Sequence, residues 1–367
     1  MTAFKGLPMD PSRRESIKEI KSRIAMMLEE RQRLTSSSSR TASPSKFWSD
    51  FCSFFDYLPS LPDEAFANLR LHTYHLTGDT YQSYYFKSEI ASMRARWEEL
   101  IRDVPAAYVL REPEGGIGFS YDDGTVVSRD VMRCQRVVNT LYDSGTLTAL
   151  ANAGGQRKLV LEIGAGYGGL AHQLSNLLGN TTYVIVDLPE TMLFSASYLA
   201  LLNPGKKLYL YRGDDFPKRG NRDFLTAFDF VLIPNYKLDE LRDLRFDLVL
   251  NVASLQEMRA DQVAEYLDFI SDTCKGVFYS WNQDDQPENS ELGNLSKMLR
   301  ARFELAEVVP KSVTNHLTAR ELMVSKLKEL MQPVGIRFGV LKPFPAGRRR
   351  YVEREYLCRP FGLRSNS

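Results

Sequence analysis

The chain has 367 residues, of which 43% are hydrophobic and 25% charged, and its formal net charge is +1. These proportions are ordinary for a globular protein of one large or two moderate domains. A net charge this small gives no electrostatic basis for general nucleic-acid binding. The four separated cysteines indicate neither a disulfide framework nor a zinc site.

No apolar run reaches membrane-spanning length, and the N-terminal residues lack the apolar segment of a signal peptide. We therefore expect a cytoplasmic protein with neither a membrane nor a nucleic acid as partner. The sequence leaves the oligomeric state open, a homo-oligomer included.

Composition divides the chain into three parts. Residues 1–45 combine a predicted helix, at about 12–34, with a Ser-rich flexible linker. Residues 46–150 are predicted to form a mainly helical substrate-binding or lid subdomain. Residues 151–367 alternate regularly between strand and helix, which favours an α/β domain with a mostly parallel, doubly wound sheet.

The subdomain at 46–150 is rich in aromatic residues, which we interpret mainly as core rather than as a carbohydrate-stacking platform. His72 and His75 are three residues apart, a spacing that places two side chains on one helix face. With Asp79 close enough to orient an imidazole, the two histidines could serve a metal or a proton transfer. The alternative is that both histidines are hydrogen-bonded structural residues beside Gly78.

The most informative stretch of the α/β domain is an apolar strand, Leu159 to Ile163, that runs into closely spaced glycines. Glycine allows a sharp turn and a close approach of backbone to ligand. The N–H groups of the helix that follows favour anionic or polar ligand atoms. This is typical of a nucleotide-binding loop at the carboxyl ends of parallel strands.

Two classes of cofactor fit the loop. Gly164, Gly166 and Gly169 match a dinucleotide fingerprint, with Asp187 at the end of the next strand as the ribose-binding acid. Glu162 does not suit that class, because the position is normally apolar strand core and an unpaired buried carboxylate is costly. At the mouth of the strand, Glu162 can instead face a cationic ligand.

The pattern Glu162-x-Gly164-x-Gly166-x-Gly168 resembles motif I of class I S-adenosylmethionine-dependent methyltransferases. Asp187-Leu188-Pro189 is similar to the end of the second strand in small-molecule O-methyltransferases of that class. The resemblance implies that these residues bind S-adenosylmethionine, with Asp187 on the ribose hydroxyls.

The later strands are predicted at 182–187, 246–250 and 276–281, with an antiparallel last pair at 303–309 and 351–357 and a helix near 318–331 between that pair. Two segments, 208–211 and 230–233, compete for the position of third strand. The adenine-contacting residue therefore stays open, with Asp214 and Asp215 as candidates.

The fourth strand ends at Asn251, which we expect to line the cofactor side, and Gln256-Glu257 follows. Transfer of a methyl group to a hydroxyl needs the reactants aligned and is helped by a general base or a metal. Plant-type O-methyltransferases carry a His-Asp pair in the comparable stretch, so their histidine mechanism does not transfer intact. Glu257 is the predicted base, His75 the alternative base, and Gln256 a substrate-binding residue. A cap on the following helix is the structural reading of Glu257.

The chain also resembles a family of bacterial sugar O-methyltransferases over residues 46 to 290. The resemblance rests on segments 47–50, 69–73, 77–79, 184–190 and 254–258. It implies a hydroxyl of a sugar or glycoside as the acceptor, with His72 and Asp79 on the substrate side. Family likeness alone supports the sugar.

Other readings remain. An NAD(P)-dependent oxidoreductase would use the same glycine loop, and a non-catalytic Rossmann scaffold would bind neither cofactor. The sequence indicates no metal site, although metal-assisted transfer stays open as a mechanism. The expected partner is a small-molecule or glycan substrate.

Overall fold

The structure is a computed structural model that describes residues 6–34, 43–152, 154–217, 219–284, 289–308 and 353–361. The Ser-rich stretch at 35–42, the predicted helix near 318–331 and the first residues of the last predicted strand lie outside the described residues. Among the described helices, none has the length and apolarity needed to cross a membrane.

The N-terminal third is built from helices joined by short 3₁₀ turns and one small hairpin. Its elements are α1 (Pro11–Leu34), α2 (Lys46–Cys52), α3 (Tyr74–Thr77), α4 (Lys87–Ile101), β1 (Phe119–Ser120), β2 (Val126–Val127), α5 (Arg129–Asp143) and α6 (Thr146–Asn152). The helices α5 and α6 are separated by a short break, and Gly145 with φ of 73° stands at that break. Glycine adopts this left-handed conformation without the steric cost that other residues bear.

The remaining elements form an α/β sheet with covering helices. The strands are β3 (Lys158–Ile163), β4 (Thr181–Asp187), β5 (Leu208–Leu210), β6 (Phe230–Pro234), β7 (Phe246–Val252), β8 (Cys274–Gln283), β9 (Phe303–Glu307) and β10 (Glu353–Pro360). The helices are α7 (Gly169–Leu178), α8 (Pro189–Leu202), α9 (Arg222–Thr226), α10 (Ala260–Thr273) and α11 (Leu295–Arg300).

The eight strands lie in the order β5-β6-β4-β3-β7-β8-β10-β9. β10 is antiparallel to both of its neighbours, β8 and β9, and the other described pairs are parallel. The predicted fold class is therefore confirmed: a mostly parallel sheet with an antiparallel last strand, preceded by mainly helical sequence. This strand order, with the last strand inserted beside β8, defines a class I methyltransferase fold.

The structure also identifies the third strand. β6 pairs directly with β4 and is buried along its whole length, whereas β5 is a three-residue strand outside it. The five apolar residues of β6 fit a position covered on both faces, as parallel strands require.

The N-terminal helix α1 packs on α8, which covers the sheet. Its apolar stripe of Ile17, Ile20, Ile24 and Met27 is buried in the hydrophobic core cluster. Near its end, Arg31 forms a partly buried ion pair with Glu190 of α8. Because its apolar stripe belongs to that cluster, α1 is part of the same packed body as the sheet.

Candidate active site

A cavity of about 420 Å³ opens at the carboxyl ends of β3, β4 and β7. Ligands of open α/β sheets bind at this edge, outside the strand ends. The sheet supplies the glycine loop and several acids, while α2, α3 and α5 supply the opposite wall. Of the predicted site residues, the lining includes His75, Glu162, Gly164, Gly166, Asp187, Leu188, Gln256 and Glu257.

In the glycine loop, Gly164 is closely packed against Ser254, whereas Gly166 has open space beside it. Gly164 has φ of +74°, and a Cβ built on it would lie 1.9 Å from the Oγ of Ser254. Gly166 has φ of +57° and nothing within 4 Å of a Cβ, so this residue leaves space for a ligand. The sequence needs glycine at the first position for close packing and at the second for backbone conformation.

Glu162 is an almost fully buried acid, 3% exposed, that nevertheless lines the cavity. The hydroxyl of Tyr183 donates a hydrogen bond of 2.8 Å to its Oε2. Burial raises the pKa of Glu162 from 4.5 to about 8, although the Tyr183 hydrogen bond opposes the shift. A cationic group entering the cavity would favour the ionised carboxylate.

Asp187 ends β4, the strand beside β3, and its carboxylate is fixed by backbone donors. The N–H of Gly166 lies 3.1 Å from Oδ2 and the N–H of Leu188 lies 2.7 Å from Oδ1. Burial raises the pKa of Asp187 to about 6, against the lowering effect of these hydrogen bonds and of Thr191. The glycine loop and the two acids therefore form one preorganised unit.

Glu257 lies across the cavity, in the 3₁₀ segment Leu255–Glu257 after β7. The indole Nε1 of Trp48 donates to its Oε2 at 3.0 Å. Burial of the carboxyl raises its pKa to about 8, and the negative charge of Asp187 adds to the shift, while the Trp48 hydrogen bond lowers it. Glu257 thus meets the protonation requirement of a base that works near neutral pH.

Four predicted residues lie outside the cavity lining. Gly168 is the N-terminal cap of α7, and a Cβ built on it would lie 3.2 Å from Ser195. Asn251 is fully buried behind the site, where its Nδ2 donates to the carbonyl of Ile163 at 2.8 Å and its Oδ1 accepts from Asn282 at 3.0 Å. Asn251 thus links the end of β3 to β8 behind the site.

The other two belong to the helical part. The Nδ1 of His72 is 3.0 Å from the hydroxyl of Tyr57. Asp79 is buried and accepts hydrogen bonds from the backbone of Thr80 and the hydroxyl of Tyr84. His72 ends the 3₁₀ segment before α3 and Asp79 lies in the loop after α3, and both make these contacts within the helical part.

Gln256 and His75 do line the cavity, with different degrees of constraint. The Oε1 of Gln256 accepts a 2.7 Å hydrogen bond from the backbone N–H of Gln283. The His75 ring is stacked on Phe54 with centroids 4.9 Å apart. Gln256 is therefore fixed to the loop by its carbonyl oxygen, whereas His75 is packed among aromatic rings.

Sequence reasoning missed several residues of the lining, among them Trp48, Arg133, Asn235 and Trp281. Asn235 directly follows β6, so it occupies the strand end that the sequence could not assign. Of the other two candidates for contacting adenine, Asp215 is exposed, and the side chain of Asp214 lies outside the described part of the chain. If the third strand had been known, a polar residue directly after it would have indicated Asn235 as a site residue.

Arg133 brings a positive charge from α5 to the cavity. Its nearest described acid is Asp130 at 3.3 Å, and Asp130 is already paired with the buried Arg70 at 2.8 Å. Arg70 in turn lies over the ring of Tyr167, with its guanidinium carbon 4.4 Å from the centroid. The start of α5 is thereby tied to the glycine loop.

The aromatic residues of the helical part are not all core. Phe55 is buried, but Phe54 and Tyr74 are 50% and 52% exposed. The expectation that these rings mainly fill the interior is wrong for this patch. Neighbouring ring centroids are 4.7 to 5.8 Å apart along a strip formed by Phe47, Phe51, Phe54, His75 and Tyr74.

Within the described residues, no group of three or more His, Cys, Asp and Glu side chains is arranged to hold a metal ion.

No protein-family model matches the chain, and no curated protein matches it.

Solved structures similar to this chain include methyltransferases. A TehB-like S-adenosylmethionine-dependent methyltransferase from Corynebacterium glutamicum is 14% identical over 62% of this chain and 96% of its own, with a TM-score of 0.32. The N-methyltransferase NodS from Bradyrhizobium japonicum, in complex with S-adenosylhomocysteine, is 13% identical over 51% and 87%, with a TM-score of 0.31. Likeness at this level carries no statement about activity, and the fold assignment rests on the strand order.

The raised pKa of Glu162 makes stability depend on pH. Between its ordinary pKa of 4.5 and about 8, the folded state holds a proton that the unfolded state releases, so the wild-type chain loses stability as pH rises. Glu162→Gln keeps an acceptor for Tyr183 but cannot ionise. Its unfolding midpoint relative to wild type should therefore rise from about pH 5 to about pH 8 and level off above that.

Thermal unfolding of both proteins across this pH range measures the effect, with the exposed Glu99→Gln as the matched control for loss of one carboxylate. A difference between Glu162→Gln and wild type that does not change with pH would contradict the burial of this acid.

Proposed function

We propose that the protein is an S-adenosylmethionine-dependent methyltransferase. The observation that carries the proposal is the pair of acids, Glu162 and Asp187, at adjacent strand ends on either side of a glycine loop. Both line one cavity. When bound, S-adenosylmethionine supplies an electrophilic methyl group on a sulfonium, next to a positively charged amino group.

The residues fit this molecule by their chemistry. Glu162 can ionise against the amino group of the ligand, which offsets the cost of its burial. Asp187 offers carboxylate oxygens to ribose hydroxyls, and Asn235 offers an amide near the adenine position. Arg133 can face the ligand's carboxylate.

A nicotinamide dinucleotide fits the same loop less well. Its pyrophosphate is anionic and would repel an ionised Glu162, whereas the positively charged amino group of S-adenosylmethionine favours the ionised carboxylate. Asp187 would suit the ribose of either cofactor, so Glu162 is the residue that separates them.

We propose a hydroxyl group as the methyl acceptor and Glu257 as the general base. A hydroxyl is a weak nucleophile until its proton is removed, and a carboxylate with a pKa near the working pH performs this best. His75 is the second candidate base, since it lines the cavity from α3.

We further propose that the acceptor is a sugar or glycoside. The cavity lining includes two indole rings and several amides, in Trp48, Trp281, Gln262, Asn282 and Gln283. Amides donate to and accept from hydroxyls, and aromatic rings pack against the C–H face of a sugar ring. The exposed strip from Phe47 to Tyr74 continues this surface outside the cavity. We also propose a cytoplasmic location, with a small-molecule or glycan substrate and neither a nucleic acid nor a membrane as partner.

Calorimetric titration tests the cofactor. S-adenosylhomocysteine should bind with a micromolar Kd, while NAD(H) should give no binding heat. Asp187→Ala should weaken S-adenosylhomocysteine at least about tenfold, because two ribose hydroxyls lose a charged acceptor. Asp103→Ala, an exposed acid on the same chain, is the control. Tight NAD(H) binding would identify an oxidoreductase instead, and binding of neither cofactor would favour a scaffold.

Kinetics test the base, with S-adenosylhomocysteine release measured across a panel of monosaccharides, oligosaccharides and glycosides. For an acceptor that turns over, kcat/KM should rise with pH up to about 8, as Glu257 ionises. Glu257→Gln should lower kcat by about 10²–10⁴-fold and remove that rise. His75→Asn should keep it. The opposite pattern would make His75 the base.

A further inference from the structure

We infer that Trp48 is a positioning residue for Glu257: its indole N–H orients one carboxylate oxygen and leaves the other for the acceptor hydroxyl. The catalytic role of Trp48 depends on the proposed function. The hydrogen bond between Trp48 and Glu257 does not depend on it.

The geometry is specific to the indole. Nε1 of Trp48 is 3.0 Å from Oε2 of Glu257, and an indole nitrogen donates but cannot accept. Trp48 therefore cannot compete with Glu257 for the proton of a substrate. With Oε2 held by this donor, Oε1 is the oxygen that can take up a proton.

The segment that carries Trp48 is anchored at Glu257 and at Gln262 of α10. The hydroxyl of Ser45, the N-terminal cap of α2, donates to the carbonyl of Glu257 at 2.7 Å. Gln262 donates to the carbonyl of Ser43 at 2.7 Å. Residues 43–48 thus bind the loop after β7 through backbone as well as side chains.

Ring packing fixes the indole from behind. Its ring centroid lies 5.9 Å from that of Phe51 and 6.5 Å from that of Phe55, and Phe55 packs against Phe194 of α8 at 5.1 Å. The donor is therefore held by the sheet-covering helix, not by the α2 segment alone. This arrangement meets the requirement that a catalytic side chain be oriented by groups that are themselves fixed.

The charged surroundings of Glu257 define what else acts on its ionisation. Asp187 from β4 is a nearby negative charge and Arg133 from α5 a nearby positive one. His75 from α3 and Glu162 from β3 line the same cavity. Besides these titratable groups, Trp48 donates a direct hydrogen bond to Glu257, and this bond favours the ionised form of the carboxyl group.

The emission of Trp48 provides a test that needs neither donor nor acceptor. The chain has three tryptophans. Tryptophan emission of the intact protein should change with an apparent pKa of about 8 as Glu257 ionises. This component should vanish in Trp48→Phe, which keeps an aromatic ring but removes the donor, and in Glu257→Gln. It should persist in the control Trp97→Phe, or in Trp281→Phe if that control does not fold, with circular dichroism as the check on folding.

Enzyme kinetics then test the positioning role. Trp48→Phe should lower kcat about 10-fold or more and move the rise of kcat/KM to higher pH, since Glu257 loses a hydrogen bond that favours its charged form. Its affinity for S-adenosylhomocysteine should match wild type.

Persistence of the emission change in Trp48→Phe or in Glu257→Gln would overturn the contact, and an unmoved pH profile in Trp48→Phe would overturn the positioning role. Failure of the wild-type chain to bind S-adenosylhomocysteine would overturn the proposed function alone, since the emission measurement is independent of it.

Discussion

The site depends on placing two carboxyl groups side by side in a position from which water is largely excluded. β3 and β4 are parallel neighbours, with Glu162 opposite Ile185 and therefore two residues short of Asp187 in the register. Both strands are buried almost throughout, so each acid has few polar partners: a tyrosine hydroxyl for Glu162, and chiefly backbone N–H groups for Asp187. Desolvating two such acids costs free energy. A bound cation at Glu162 and bound hydroxyls at Asp187 can offset that cost.

The rest of the fold can be understood as support for that pair. Asn251 joins the ends of β3, β7 and β8 through the carbonyl of Ile163 and the amide of Asn282. On the opposite side, the buried Glu355 of β10 accepts from Thr140 and Arg136 and so ties α5 to the sheet. The wall formed by α5 is fixed at this end by β10 and at its start by Arg70 and Tyr167.

The part of this arrangement that lies within one strand–loop–helix unit could be predicted from the sequence. Glu162, Gly164, Gly166 and Asp187 were predicted from the glycine spacing, the acids at strand ends and the resemblance to a family motif, because these features leave local signals. The mostly parallel sheet with its antiparallel last strand followed from the alternation of elements.

Residues brought in from distant elements could not be predicted. Trp48 reaches Glu257 across 209 positions of sequence, and no periodicity reports such a contact. Asn235 was not predicted because the sequence did not show which of two short apolar segments forms the third strand. Asn251 shows the converse: a polar residue at a strand end can serve the framework instead of the ligand.

The measurement that tests the central claim most directly is proton release on ligand binding. Calorimetric titration with S-adenosylhomocysteine near pH 7, in buffers of different ionisation enthalpy, counts the protons exchanged. With a pKa of about 8, Glu162 is mostly protonated before binding and must ionise to meet the ligand's amino group. The wild-type chain should therefore release a proton, and Glu162→Gln should not release it. Binding with equal proton exchange in both proteins would contradict the account.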